Sequence, residues 1–530
     1  MDELPSWLEP LLDAETMRAT DRWAIEERGV PGIELMERAG AGVTRACERL
    51  APDGAVAIVC GKGNNGGDGL VAARLLRETG REVDVVCLAP PEELTGDART
   101  NLERLPGPAP LAPDGVPWSE REEPGQRARP LVELLASQAL VVDALLGTGF
   151  QGDPRGEVAA AIEALEASRA QVLSVDVPSG VDASSGTVAS CAVRARRTVS
   201  FHAAKPGLWI NPGKFHAGEV EVVDIGIPRG APGASRIGLI TAAVLGELPR
   251  REAAATKFSS GHVLVAGGSR GLTGAPTMTA RASMRAGAGY VTACVPRSLQ
   301  AIIAASGTPE LMTRGLQEDP AEEGSIGAGA VGEVLEATRR GGALALGPGL
   351  GRSEAAVSFA RALARQAKVA MVLDADGLNA HAGRLGELAG RAAPTVLTPH
   401  AGELARLLEN DSAEIERRRL AHARAAAERS AAVVVLKGDD TLVAHPDGAV
   451  AVSAGGSPAL ATAGTGDVLT GVISALLAQG LDAFTAAAAG VFVHAEAGRQ
   501  AARRAGSVEG VVATDVVEAL PRVRHGGGDG

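Results

Sequence analysis

Residues 55–70 read AVAIVCGKGNNGGDGL, and the ten that follow, VAARLLRETG, have helical spacing. An apolar run thus gives way to ten positions, 61–70, that hold five glycines, two asparagines, an aspartate and a lysine. A strand running into a glycine-rich turn and then into a helix is the start of a βα unit. Glycine there lets the backbone approach a ligand and supplies φ > 0. Free N–H groups at the head of the helix can hold an anion. The stretch is not a Walker loop, because Lys62 precedes the glycines and no GK[ST] follows. Its spacing and acidic partner are also wrong for a GxGxxG fingerprint.

The same alternation extends on both sides. EVDVVCLA (82–89), ALVVDALLG (139–147) and QVLSVDVPSG (171–180) read as strands. GEVAAAIEALEASRA (156–170) and ETMRATDRWAIEERG (15–29) read as helices. This predicts a doubly wound, Rossmann-like α/β/α sandwich. After a Pro/Gly stretch at 227–235, a second α/β block follows. Its strand-then-loop units are HVLVAGG (262–268), GYVTACVP (289–296), GALALGPGLG (342–351), VAMVLDADGLN (369–379), PTVLTPHAGE (394–403) and AAVVVLKGDDTLVA (431–444). GTGDVLTGVISALLAQG (464–480) is a glycine-rich turn opening an apolar helix, and an Ala-rich helix containing His494 comes after it. The expected division is a first domain at 1–228, a linker at 229–239, a second domain at 240–522 and a disordered tail at 523–530.

Composition agrees with this outline. The 530 residues exceed one ordinary core. A charged fraction of 22% beside 45% hydrophobic residues argues against wholesale disorder. A net charge of −12 argues against nucleic acid or an anionic membrane as the main partner. No apolar run reaches the roughly 18 residues of a membrane span, and the acidic N-terminus lacks a basic signal-like region. The five cysteines form no CxxC pair and sit mostly in strand-like runs, so buried, reduced thiols in a cytoplasmic protein are expected.

Open parallel sheets bind ligands beyond the carboxyl ends of their strands. In the first block three polar clusters fall there: Asn64-Asn65-Gly66-Gly67-Asp68, Asp143 with GTGFQGD behind it, and Asp176-Val177-Pro178-Ser179. A strand-ending turn explains any one of them; three at equivalent positions point to a site. Oxygens of Asn65, Asp143 and Ser179 could hold a hard monovalent cation, leaving Asp176 as an acid/base candidate. In the second block, Asp467 follows a glycine turn at a helix head. There a carboxylate can deprotonate a hydroxyl while amides hold the phosphoryl group it attacks; the alternative is a simple helix cap. Lys437 and the KGDDT amides suit a nucleotide phosphate or a plain hairpin turn. His400 and Glu403, Asp374, Asp376 and Asn379, and the GPGLG backbone lie beyond other strands.

GKGNNGGDG, DALLGTGF, SVDVPSGVDASSG and TVSFHAAKPGL, in this order, resemble the NAD(P)H-hydrate epimerase domain over about the first 225 residues. The resemblance implies epimerisation at C6 of NADHX and NADPHX, the hydrated forms of the reduced nicotinamide coenzymes. It implies that Asn64, Asn65, Gly66, Gly67 and Asp68, with Gly147, Thr148, Gly149, Phe150, Gln151, Gly152 and Asp153, line the substrate. Asn65, Asp143 and Ser179 would bind K+, and Asp176 would touch the substrate and move the proton. Lys205, in HAAKPG, fits either a solvated loop cation or a phosphate contact.

KFSSGHVLVAGGSRGLTGAPTMTARASMRAGAGYVT, GPGLG, DADGLN, TPHAGE, KG-x-x-T and GTGDVLTG resemble the ADP-dependent NAD(P)H-hydrate dehydratase, of the ribokinase-like group, over about residues 240–515. This implies that Ala275, Gly349, His400 and Asp467 contact the hydrated coenzyme. Lys437, Gly438, Asp439, Asp440, Thr441 and Gly466 would contact the nucleotide, ADP accompanied by Mg2+. Two resemblances in one chain imply a bifunctional repair enzyme, with a homo-oligomer as the expected assembly. The rival reading is a ribokinase-like small-molecule kinase fused to a Rossmann-like binding domain.

Overall fold

The computed structural model describes residues 3–116, 118, 130–231, 233, 235–306 and 308–524. Of the expected disordered tail at 523–530, residues 523 and 524 instead end the helix Ala513–Arg524, and 525–530 lie outside the described residues. The chain forms two compact units, residues 10–237 and residues 238–530, with Glu3–Glu9 belonging to the second. The expected first domain, counted from residue 1, did not set those seven residues apart.

The first unit is built on six parallel strands. Their order across the sheet is Val83–Cys87, Val56–Cys60, Leu140–Ala144, Val172–Val175, Arg197–Phe201 and Glu219–Val223. The two central strands, VAIVC and LVVDA, are buried at every position. Such unbroken apolar runs mark a parallel sheet covered on both faces. From Val56–Cys60 the chain first builds the strand on one side and then crosses to Leu140–Ala144 on the other. This is the switch point at which a crevice opens beyond the strand ends. Arg197–Phe201 and Glu219–Val223 were not singled out as strands in the sequence. The latter is an edge strand, EVEVV, whose glutamates interrupt its apolar run.

The glycine-rich stretch differs from its expected form. The helix begins at Asn64, so NNGGDG is its first turn and a half rather than a loop. Gly61, Gly63, Gly66, Gly67 and Gly69 all have ordinary negative φ or extended backbone, outside the positive-φ set. They serve close approach. A Cβ on Gly66 would collide with the Gly61 carbonyl, one on Gly61 with the Leu145 carbonyl, and one on Gly69 would lie 2.7 Å from Ala144 Cβ. The helix head is therefore driven against the ends of both central strands.

The second unit carries an eleven-stranded sheet. Its parallel centre is Met312–Leu316, Tyr290–Pro296, His262–Ala266, Ala343–Leu346, Ala370–Leu373, Thr395–Leu397 and Val433–Leu436. Val433–Leu436 then turns back through residues 437–441 into Leu442–Ala444, which pairs antiparallel with Val450–Val452. KGDDT is therefore the turn of a hairpin. Ile237–Ile240 and the N-terminal strand Leu8–Pro10 complete that edge. Helix Thr465–Ala478 and helix Gly274–Arg285 pack together, with Gly471 set tightly against the Thr279 carbonyl. Among the described residues, no helix is long and apolar enough to cross a membrane. Cys47, Cys60, Cys87 and Cys294 are buried free thiols, while Cys191 is half-buried.

Gly66→Ala is expected to lower the stability of the first unit by about 1–3 kcal/mol in urea titration. Gly63→Ala is the control, since nothing lies within 4 Å of the added methyl, and it should shift the midpoint far less.

Candidate active sites

In the first unit, a cavity of about 1020 Å³ opens at the switch point. Asn64, Asn65, Asp68, Gly147, Thr148, Gly149, Phe150 and Asp176 line it. Gly66 and Gly67 instead face protein, against the Gly61 carbonyl and the Met36 side chain. Gln151, Gly152 and Asp153 are exposed, and Asp153 Oδ1 accepts the Ser190 N–H at 2.9 Å.

Asp176 follows strand Val172–Val175 with φ 67, in the left-handed region that a non-glycine residue rarely occupies. Strain of this kind turns its carboxylate toward two partners. Oδ1 is 2.7 Å from the Lys205 ammonium, which is only 1% exposed. Oδ2 accepts the Thr148 N–H at 2.9 Å and the Thr148 hydroxyl. Lys205 also donates to Ser200 Oγ and the Phe201 carbonyl, both at 2.9 Å. It is therefore a buried counter-ion, neither a solvated loop cation nor a free phosphate ligand. Burial pushes the Asp176 carboxyl up, but the Lys205 ammonium and Thr148 donors outweigh it and hold the group below the usual carboxylate range.

Two further carboxyls share this field and were not paired with it from sequence. Burial, then Asp176 and Asp21, push Asp68 well above its ordinary range against the pull of Lys205. Burial raises Asp21 to about 6, with Lys205 opposing and Asp176 adding to the rise. One carboxyl is thus held ionised and two are biased toward the protonated form around a single ammonium. Asp21 stands in the amphipathic helix Ala14–Arg22, whose pattern reads as packing alone.

The structure brings Asp143 and Ser179 together. Asp143 is fully buried and accepts Ser179 Oγ at 2.6 Å, Ser179 N at 2.9 Å and Ser174 Oγ at 2.8 Å. Ser179 Oγ also meets the Leu146 N–H at 2.9 Å. Asn65 Oδ1 lies against Gly147, where a Cβ would be 3.0 Å away, on the side of Asp176. The buried Asn65 Nδ2 has no hydrogen-bond partner among the described residues. The oxygens of Asn65, Asp143 and Ser179 are each of the kind a hard cation takes.

In the second unit, Gly464 caps helix Thr465–Ala478 with φ 91, so Asp467 is not the cap but the third helical residue. Burial raises its carboxyl to about 7, with the Asp374 charge adding and Lys437 opposing. Lys437 Nζ is 3.2 Å from Asp374 Oδ1 and 3.6 Å from Glu403 Oε2. It stands beside the helix head, 3.7 Å from where a Gly466 Cβ would be. Asp374 Oδ1 accepts Thr398 Oγ1 and its Oδ2 accepts Thr470 Oγ1, each at 2.8 Å.

The other expected residues divide. Gly349, at φ 62, packs next to Ala275, 3.1 Å from its Cβ to an added one. His400 caps helix Ala401–Leu408. Its Nδ1 accepts Gly402 N at 3.0 Å and Glu403 N at 3.3 Å, and Glu403 Oε2 accepts His400 N at 2.9 Å. Burial, aided by Lys437 and opposed by Glu403, keeps that imidazole below its usual range, which suits an accepting Nδ1. The Asp440 carboxylate is buried on Arg419, Nε to Oδ2 2.9 Å, so its side chain anchors the hairpin turn from within. Gly438 packs on the same guanidinium, and Thr441 Oγ1 closes the turn on the Gly438 carbonyl at 2.7 Å. Asp376 accepts Gly351 N and Arg352 Nε, both at 3.0 Å. Among the described residues no cluster of three or more His, Cys, Asp or Glu is arranged to hold a metal ion.

Lys205→Met should cost about 3–5 kcal/mol of stability, because a buried carboxylate is left without its partner. Asp176 is held low in the folded chain, so the pair stabilises above the ordinary carboxylate range and its contribution fades in acid. The loss measured by urea titration should accordingly be larger at pH 7 than below about pH 3, under the ordinary carboxylate value of 3.8.

Residues 32–207 match the family model described as YjeF-related protein N-terminus, and residues 263–522 match that described as NAD(P)H-hydrate dehydratase. The bifunctional NAD(P)H-hydrate repair enzyme Nnr of Moorella thermoacetica is 44% identical over 97% of this chain and 96% of its own. That of Salinibacter ruber is 42% identical with the same coverage. A solved ADP/ATP-dependent NAD(P)H-hydrate dehydratase from Bacillus subtilis is 28% identical, covers 54% of this chain and 96% of its own, and superposes with a TM-score of 0.47. With nearly full-length identity at this level and both halves matched, the chain belongs to the bifunctional NAD(P)H-hydrate repair enzyme family.

Proposed function

We propose that the first unit interconverts the R and S epimers of NADHX and NADPHX, and that the second dehydrates the S epimer with ADP, giving NAD(P)H, AMP and phosphate. What carries this reading is that each unit gathers its motif carboxylates around one lysine at the carboxyl edge of a parallel sheet, Lys205 fully buried and Lys437 half-buried.

C6 of the hydrated ring bears a hydroxyl beside the ring nitrogen. Inverting it requires a proton to leave and return while a bond at C6 breaks and re-forms on the other face. Asp176, held ionised, accepts that proton at a carboxylate oxygen. Asp68, biased toward its protonated form and lining the same cavity, can return one. Thr148 and Lys205 keep Asp176 aimed. Asn65, Asp143 and Ser179 would hold K+, which supplies fixed positive charge beside the substrate.

In the second unit, hydroxide is a poor leaving group and must be converted. Asp467 takes the hydroxyl proton, and the oxygen attacks the β-phosphorus of ADP. The P–O bond to the α-phosphoryl group breaks, and AMP leaves with its electron pair. The phosphate ester then loses phosphate as the adjacent carbon gives up a proton, restoring the ring double bond. The N–H groups at Gly464–Asp467 lie where a helix head stabilises phosphoryl charge. Mg2+ would enter on the ADP phosphates and neutralise their charge. A cytoplasmic, homo-oligomeric enzyme belongs to the same reading.

The test supplies mixed R- and S-NADHX with ADP and follows recovery of reduced-nicotinamide absorbance and release of AMP. Full recovery is expected; a stable phosphorylated coenzyme without recovery would instead mean a kinase. Asp467→Asn should lower dehydration at least about a hundredfold and spare epimerisation, while Asp176→Asn does the reverse. Because Asp467 must be ionised to act and is raised to about 7, kcat/KM for dehydration should fall as pH drops below about 7. A flat profile from pH 5 to 8 would exclude it as the base.

A further inference from the structure

Asp374 is buried at the end of strand Ala370–Leu373, and its two oxygens serve three elements at once. Oδ1 takes the Thr398 hydroxyl at 2.8 Å and the Lys437 ammonium at 3.2 Å; Oδ2 takes the Thr470 hydroxyl at 2.8 Å. Thr398 opens the TPHAGE turn after strand Thr395–Leu397. Lys437 opens the hairpin turn after strand Val433–Leu436. Thr470 is three residues beyond Asp467 on helix Thr465–Ala478, one turn deeper. The Ala375 backbone that follows has φ 49 and ψ −117, so the chain holds this carboxylate in place at the expense of a strained residue.

We propose that Asp374 is the positioning residue of the dehydratase: one carboxylate fixes Lys437 under the Gly464–Asp467 turn and, through Thr470, fixes the helix turn that carries Asp467. The proposal rests on Asp467 as the base.

Its chemistry is electrostatic. The groups facing Asp467 are Asp374 from the strand end and Lys437 from the hairpin. Behind Lys437 stand Glu403 of helix Ala401–Leu408 and His494 of helix Ala483–Ala505. Burial and Lys437 hold His494 down to about 4, with the Thr465 backbone opposing, so it is neutral in the working range. Without Asp374, Lys437 would face Asp467 with one partner fewer and would draw it toward ionisation. The like charge of Asp374 does the opposite and keeps Asp467 a base strong enough to take a hydroxyl proton near neutrality. The Thr470 hydrogen bond is a separable part of the same device, since it sets geometry without charge.

The experiment measures dehydration by the full chain against pH at saturating ADP, for wild type, Asp374→Asn and Thr470→Val, with epimerisation and thermal unfolding on the same samples. Asp374→Asn should lower kcat about ten- to a hundredfold, leave the KM for hydrated coenzyme within about twofold, and move the acid limb down by about one pH unit. Thr470→Val should lower kcat with the limb unmoved. The titration of ADP itself is common to all three and cancels in the comparison. An unmoved limb or wild-type kcat in Asp374→Asn overturns the proposal. If Asp374→Asn does not fold, Thr470→Val decides: lowered kcat at unchanged KM supports the proposal, and wild-type kcat overturns it. Asp467→Asn, run alongside, separates the two readings, since dehydration that survives it removes the base and not merely its support.

Discussion

One lysine ammonium organises each unit, fully buried in the first and half-buried in the second. Lys205 is enclosed by Asp176, Ser200 and the Phe201 carbonyl, and Lys437 by Asp374 and Glu403. An isolated ammonium at the depth of Lys205 would cost several kcal/mol, so it needs the Asp176 carboxylate in contact, and that carboxylate needs the lysine. The remaining acids are then sorted by distance and burial. Asp176, in contact with its ammonium, is held as the anion. Those one step farther, Asp68 and Asp467, are buried without a full counter-charge and retain protons more readily. A site with groups of unequal proton affinity follows from a single cation placed off-centre.

The sheets determine where this can happen. Parallel strands end together, and only at their carboxyl ends do successive loops converge. Asp176 and Asp374 each stand on the residue after a strand and Asp143 one residue before a strand's end, close to where side chains can leave the sheet without crossing its apolar faces. The backbone adapts to them: Asp176 itself and Ala375 beside Asp374 have positive φ. Helix heads supply the remaining donors, from Asn64 in one unit and Thr465 in the other.

The α/β alternation was legible in the sequence because strands of a covered parallel sheet are short, uniformly apolar runs such as VAIVC and LVVDA. Edge strands were less so; EVEVV interrupts its valines with glutamates, and the Leu442–Ala444 and Val450–Val452 pair merges into the turns around it. The positions of Asn65, Asp143, Asp176 and Asp467 could be read because motif order survives in one dimension. The partner of Asp176 could not be, since Lys205 lies 29 residues on and nothing in HAAKPG separates a buried counter-ion from a surface cation. Nor could the purpose of the glycines in NNGGDG, because a missing side chain serves left-handed backbone and tight packing equally well. The Asp440 carboxylate was illegible for a related reason: in a turn-like KGDDT, an aspartate that anchors a buried arginine looks like one that faces solvent.

Strand Leu8–Pro10 belongs to the sheet of the second unit, although some 230 residues of the first unit separate it from the strand Ile237–Ile240 in the same sheet. The first unit is, in topology, an insertion inside the second rather than a bead strung before it. No single cut in the chain can therefore release two whole parts. During synthesis the opening strand must wait, unmatched, until the entire inserted body has emerged, and separation of the two genes in evolution would require that this strand be surrendered or rebuilt.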